Sequence, residues 1–578
     1  MFSSPAVLMT SVWVAILIGI AAGPIEYPSE PSVVVLALVA AGVLLFVLAC
    51  QAGAWCFRVR PGPQPNLPAP PLRLLNMATT ASSMLGLAGI ALIAFDRTVL
   101  SGTGSGVNAE LLRCAPSLVD FIEVKRTPLL YLGYLTFSFG FASLVLFLLK
   151  GDEIRGWPAI LAQLSILSPV GYAVLYSGRM PMLFIIILIV AAVLVRVGQG
   201  RRPLPVGHHL LLKMIVVLLL FGIYSSAMWS TRQAFCVQMS GLIRELQDRM
   251  RERDLARAPV PRSTPTTLQS PPEIERREQV ADAAVKPHQN MQSSETGSKD
   301  QGPAEAGSKS GVPKPAPSTA THAAEPPNNI QSRPEPAPAP KSADSVSAAD
   351  LSRMVQGRTI MPTAGQPVPS ADAAVLLARM REAWHVTPRG YVLSAIESGR
   401  LSPGTATSVL SSYFYLTHGI RMLDLVWQAR TQFTPHWGLY EVGVLSPIFR
   451  VFFPQSRQLA SMNEQVESAE IYGFFPTAWG AAYIDFGAAG TVLYILIWGF
   501  AGGWSAFGAK HSGLALPPLL QTFILASIML SSVEGPLGIA NSAMVLGSII
   551  VVGVAIDFAG CGRLALGRRG VRPATRTP

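Results

Sequence analysis

Ten stretches of this chain pass without one Asp, Glu, Lys or Arg: 6–22, 33–50, 75–95, 129–149, 158–177, 182–195, 214–228, 488–507, 514–533 and 537–556. Nothing else constrains the fold as much. A hydrocarbon core about 30 Å thick is crossed by roughly 20 apolar residues wound as a helix. Inside it the backbone finds no water, so a helix or a closed barrel must satisfy it. The stretches predict an all-α polytopic membrane protein with about ten transmembrane helices. The sixth and seventh are short, and are expected to tilt, break or extend into their flanks. Charged residues make up only 14% of the chain, against about 25% in a soluble one. The net charge of +11 does not point to nucleic acid, because the basic residues form no single patch. Five cysteines without C-x-x-C spacing exclude a zinc ribbon or a disulfide-stapled scaffold. The first Lys or Arg is Arg58. The first stretch therefore lacks the positive n-region of a secretory signal and reads as a retained helix.

Lys and Arg in short loops set orientation. With the N-terminus inside, the inner segments hold 15 of them and the short outer loops hold five: Arg97, Arg113, Lys125, Arg126 and Arg179. Both termini are then cytoplasmic, as in a multi-pass protein of a bacterial inner membrane, and the long segment 229–473 lies outside. The expected parts are an N-terminal bundle of about seven spans (1–235), a charged helix and disordered linker (236–370), a helical periplasmic cap (371–473), a C-terminal bundle of about three spans (474–557) and a basic tail (558–578). From Cys236 to Ala383 there is no Phe, Tyr or Trp, and 258–370 holds 19 of the 47 prolines. Such a stretch cannot bury enough apolar surface to offset its ordering entropy. From Trp384 the aromatic residues return. Ser402-Pro403 is a helix start, and 406–430 carries apolar positions at helical spacing, interrupted at Gly419.

Residues 384–472 contain six arginines and no lysine. A guanidinium grips phosphate oxygens with a planar fork, which an ammonium cannot do. Arg389, Arg421 and Arg450 of the cap, with Arg97 and Arg179, are the candidates for binding a lipid diphosphate. The chain prefers Arg throughout, with 36 Arg to 9 Lys, and six acidic residues of the cap could pair with these cations instead. His418, His436, Glu397, Asp424 and Glu441 are candidates for taking a proton, or are hydrogen-bonded structural residues. His418 stands within one turn of Arg421. Asp485 lies at the mouth of the eighth span, either as a helix N-cap or as an acid–base group. Cys114 and Cys236 both fall outside in this topology, where a bridge between them is permitted; two free thiols are the alternative. No metal site is read from the sequence.

The pattern Thr477…Gly480…Tyr483-x-Asp485-Phe486-Gly487-x-x-Gly490, running into an apolar helix, resembles the bacterial O-antigen or oligosaccharide repeat-unit polymerases of the Wzy type. Asp96-Arg97, Tyr176-Ser177-Gly178-Arg179 and Gly438-Leu439-Tyr440 before an apolar stretch are similar to that family too. The likeness covers roughly 75–235 and 385–510. It implies a membrane glycosyltransferase of the cell envelope that needs no cofactor. Its substrate would be a polyprenyl-diphosphate-linked oligosaccharide, and its partners membrane lipids, a chain-length regulator and a flippase. The leaving diphosphate needs fixed cations, and a carboxylate or His takes the acceptor proton. Rival readings are an O-antigen ligase-like transferase, a transporter or flippase of lipid-linked glycan, and a non-enzymatic scaffold. A coupled carrier usually places ionisable groups at midplane and shows internal repeats; the ten stretches hold no Asp, Glu, Lys or Arg and the chain shows no repeat.

Overall fold

The computed structural model describes residues 3–58, 70–100, 122–123, 127–176, 178, 180–205, 346–347, 385–442, 458–471, 475–538 and 541–570, with scattered positions at 212–224, 241–249, 377–381 and 445–453. Eight helices are long and apolar enough to cross a membrane: Pro5–Ala22, Val33–Arg58, Leu72–Leu100, Pro128–Lys150, Trp157–Leu175, Met180–Gly198, Thr477–His511 and Ser542–Gly560. The other two expected crossings are shorter, Ile215–Tyr224 and Leu516–Met529. Large apolar side chains stand exposed along these helices, among them Ile18, Val33, Leu44, Leu493 and Ile497. An apolar surface of that extent is what lipid contact requires.

Several helices are interrupted, and the causes are local. Helices α1 (Pro5–Ala22), α2 (Val33–Arg58) and α3 (Leu72–Phe95) are continuous, and α3 runs into a π-turn at Asp96–Leu100. The fourth crossing divides at Ser138 into α4 (Pro128–Phe137) and α5 (Phe139–Lys150). The fifth divides at Ser165-Ile166 into α6 (Trp157–Leu164) and α7 (Leu167–Leu175). Pro169 has no N–H to give the Ser165 carbonyl, which instead accepts from the Ser168 N–H at 3.0 Å. Next come α8 (Met180–Gly198), the cap helices α9 (Gly390–Glu397), α10 (Pro403–Thr417), α11 (Gly419–Gln428) and α12 (Gln458–Ser468), and the C-terminal α13 (Thr477–His511), α14 (Leu516–Met529) and α15 (Ser542–Gly570). The expected interruption at Gly419 is present, and the Ser402 hydroxyl accepts from the Thr405 N–H at 3.3 Å to start α10.

Helix α13 begins eleven residues before the apolar stretch that announced it. Asp485 lies near the end of the short leading helix, two residues before Gly487 (φ 65°, ψ −172°), where the chain kinks into the apolar helix whose mouth it was expected to mark. That left-handed φ suits glycine.

The main seam of the bundle joins α13 to α2. Gly499 and Gly503, four residues apart on one face, let the backbones meet. A Cβ at Gly503 would collide with the Cys50 carbonyl, and one at Gly53 with the Phe500 carbonyl. Small residues at such an interface allow close packing where lipid offers no hydrophobic drive. Gly503→Leu is expected to lower the melting temperature in detergent by an amount equivalent to about 1–3 kcal/mol or more. Gly547→Ala, with nothing within 4 Å of its Cβ, is the control and should leave it within error. Equal behaviour of the two would refute the close seam.

The helix ends sort into two sets. At the basic end, buried Arg196 donates to the Leu148 carbonyl (3.1 Å) and the Leu149 carbonyl (2.9 Å), closing the C-terminus of α5, and pairs with Asp152 at 2.6 Å. At the other end the cap sits on the α1–α2 loop. Ile25–Glu26 pairs antiparallel with Thr387–Pro388, and Ile25, Val392, Ile396, Leu410 and Phe414 share a small apolar core. Ser32 donates to Asp424 at 2.6 Å, and Tyr27 bonds to Thr417 at 2.7 Å. The cap is thus docked on the bundle. Most of the stretch expected to be disordered lies outside the described residues. Within it, Val346–Ser347 forms a two-residue strand parallel to Ile122–Glu123, a local pairing that the composition did not anticipate.

Candidate functional site

The kink at Gly487 leaves Asp485 facing the turn 436–442. Asp485 is fully buried. Its carboxylate accepts from the N–H of Tyr440 (3.0 Å) and of Glu441 (2.7 Å), and its carbonyl from the N–H of Trp437 (2.9 Å). A carboxylate gathering successive backbone N–H groups is a recurrent way to fix a turn. This one needs fixing, since Trp437 and Gly438 both have positive φ, 55° and 90°. The N-cap expectation for Asp485 is corrected: it caps another segment's turn, not its own helix. Beneath Trp437, His436 bonds through Nε2 to Gln465 Oε1 at 3.0 Å, tying the turn to α12.

The turn delivers Glu441 into the protein, 1% exposed. Its Oε1 accepts from the Tyr494 hydroxyl of α13 and from the Leu537 N–H at 3.3 Å. Its Oε2 is buried without a hydrogen-bond partner. Burial pushes the carboxyl up to about 8, against the pull of the Tyr494 and Leu537 bonds. A buried carboxyl with one oxygen fixed and the other unclaimed, poised near neutral pH, has the form of a general acid or base.

Glu534, half-buried in the turn between α14 and α15, is a member that sequence reading missed. Burial, then the charge of Glu441, holds it well above the usual carboxylate range. The Tyr440 hydroxyl is likewise raised by burial and then by Glu534. The available signal was that Glu534 is the only acidic residue between Asp485 and Asp557. The other missed member, Tyr494, carried no signal, being one more aromatic residue in an apolar run.

A second cluster begins at Asn541. Asn541 donates to the Tyr172 hydroxyl at 2.8 Å. Tyr172 packs on Tyr176 with ring centroids 4.7 Å apart. Arg97 donates through Nε to the Tyr176 hydroxyl at 3.1 Å, with its guanidinium 5.2 Å from that ring, and Tyr134 bonds to the same hydroxyl. Its neighbour Asp96 is buried and accepts from Thr127.

The remaining candidates lie elsewhere. His418 is buried, with Nδ1–H on the Phe414 carbonyl (2.9 Å) and Nε2 facing the Phe475 N–H (3.4 Å). Burial pushes its imidazole down to about 4, so it is neutral at neutral pH and pins the α10–α11 joint. Arg389 donates to the Ala21 carbonyl at 2.7 Å, and Arg421 to Ser29; both fasten the cap to the α1–α2 loop. Asp424 receives Ser32 and Gln428. Arg179, Arg450, Cys114 and Cys236, and with the last two the expected bridge, lie outside the described residues. Among the described residues no group of three or more His, Cys, Asp or Glu could hold a metal ion. No protein-family model matches the chain, and no curated protein or solved structure matches it.

Proposed function

We propose that the chain is a membrane glycosyltransferase that polymerises lipid-diphosphate-linked oligosaccharide repeat units at the cap end of its bundle. The observation that carries this reading is Glu441, whose buried Oε2 has no partner where cap and bundle meet. In the proposed reaction an acceptor sugar hydroxyl gives its proton to Glu441 Oε2 as its oxygen bonds the anomeric carbon of the donor. The anomeric C–O bond to the diphosphate breaks, and its electron pair leaves with the diphosphate. Arg97, held against the Tyr176 ring, is the described guanidinium assigned to that charge. The repeat-unit substrate itself rests on the resemblance.

The test is the glycan ladder of cells carrying variants at matched membrane levels. Arg97→Ala should slow polymerisation about 30- to 1,000-fold, and Arg97→Lys should rescue it poorly. A polymerase defect leaves single repeat units on the surface acceptor, whereas a ligase defect lets lipid-linked polymer accumulate. Normal polymer length in a clean deletion, in a cell with no redundant enzyme, would remove the reading.

One observation favours a second reading. Asp485 lies inside an apolar helix that is broken at Gly487, and carriers build their sites from discontinuous helices with intramembrane acids. Movement of lipid-linked glycan between leaflets of reconstituted vesicles, without chain growth, would select the transporter.

A further inference from the structure

The transfer step leaves Glu534 without a task, although the fold makes room for it. Two glycines of the 534–538 turn receive the two carboxyls. A Cβ at Gly535 would collide with the carboxylate of Glu441, and one at Gly538 with that of Glu534. Between them, the Leu537 N–H donates to Glu441 Oε1. Both carboxyls therefore lean on the same five residues. The ionisable groups that face them are Tyr440 on the turn and Asp485 and Tyr494 on α13. Among the described residues no Lys, Arg or His forms an ion pair with either glutamate. Two neighbouring carboxyls without a cation do not both ionise near neutral pH. Burial first, and then the charge of Glu441, raises the Glu534 carboxyl well above the usual carboxylate range. Independently of that, Glu441 Oε2 is a buried acceptor with no donor, lying beside Gly535.

We infer that Glu534 is a second ligand-binding carboxyl of this site, protonated beside Glu441, so that the pair presents one acceptor oxygen and one O–H donor to a vicinal diol. One hydroxyl of the diol gives its proton to Glu441 Oε2, and its neighbour accepts a hydrogen bond from Glu534. Adjacent hydroxyls are what a pyranose offers. The diol rests on the transferase reading; the protonated pair does not.

Infrared titration of the purified full chain in detergent separates the two. The spectrum of the unmodified protein minus that of Glu534→Gln should hold a protonated-carboxyl band at neutral pH. In Glu441→Gln the Glu534 band should vanish at lower pH, because the neighbouring charge is gone. Gly538→Ala, which keeps both carboxyls and displaces Glu534 alone, should move that band the same way. A missing band at neutral pH, or one that neither variant moves, overturns the pair. In the cellular ladder, Glu534→Gln, which retains an N–H donor, should support longer chains than Glu534→Leu. Equal ladders from both overturn the diol while leaving the pair standing. A normal ladder after deletion of the whole gene removes the transferase reading instead.

Discussion

Glu441→Gln is expected to reduce repeat-unit transfer by about 10²- to 10⁴-fold, the usual contribution of a positioned base, while the protein still folds. Gln matches the shape of Glu, and its amide oxygen can still receive the Tyr494 hydroxyl and the Leu537 N–H. It cannot take a proton. The measurement is the initial rate of consumption of lipid-linked repeat units in isolated membranes, from pH 6 to 9. With the original glutamate the rate should rise as pH climbs through about 8, where Glu441 loses its proton; with Gln that rise should be absent. Full activity in Glu441→Gln would end the assignment. The same carboxyl affects stability in the opposite sense. Its ordinary value is 4.5 and its folded value is raised. Between about 4.5 and 8 the unfolded chain is ionised while the folded chain is not, so stability falls as pH rises across that window.

Asp485→Ala is expected to be the most destabilising change at the site. It leaves the N–H groups of Tyr440 and Glu441 without their acceptor inside the protein. At about 1–3 kcal/mol for each unsatisfied buried donor, the loss is about 2–6 kcal/mol. Asp485→Asn keeps one acceptor oxygen for two donors and should lose roughly half as much. Thermal unfolding in detergent reads the stability, and the membrane assay reads the rate. Because Asp485 holds the turn that carries Glu441, stability and rate should fall together across the two variants. A dead but fully stable Asp485→Asn would make Asp485 the acid–base group instead.

These expectations mark where the residue pattern was informative. Charge-free apolar stretches found the helices, because the bilayer demands length and apolarity and little else. They did not announce the short helix that precedes the kink at Gly487, since that segment is largely buried in the protein and so tolerates Asp485. Glu441 was in view as one candidate among several. Its importance depends on Leu537 and Tyr494, which lie 96 and 53 positions away, and no local spacing encodes them. The arginines of the cap were the least informative residues. Guanidinium chemistry suits phosphate, but it equally suits the carbonyl at the end of a helix, and that is where Arg389 is used.

The seam between α2 and α13 has a consequence for how the protein is made. Gly53 and Phe500 touch although 447 positions separate them. The second crossing leaves the ribosome long before its partner has been synthesised. Its glycine-lined face must wait in the bilayer, covered by lipid or by a chaperone, while the linker and cap are synthesised. Closing the seam belongs to the last stage of biogenesis, so the site at the head of α13 cannot be assembled before the chain is nearly complete.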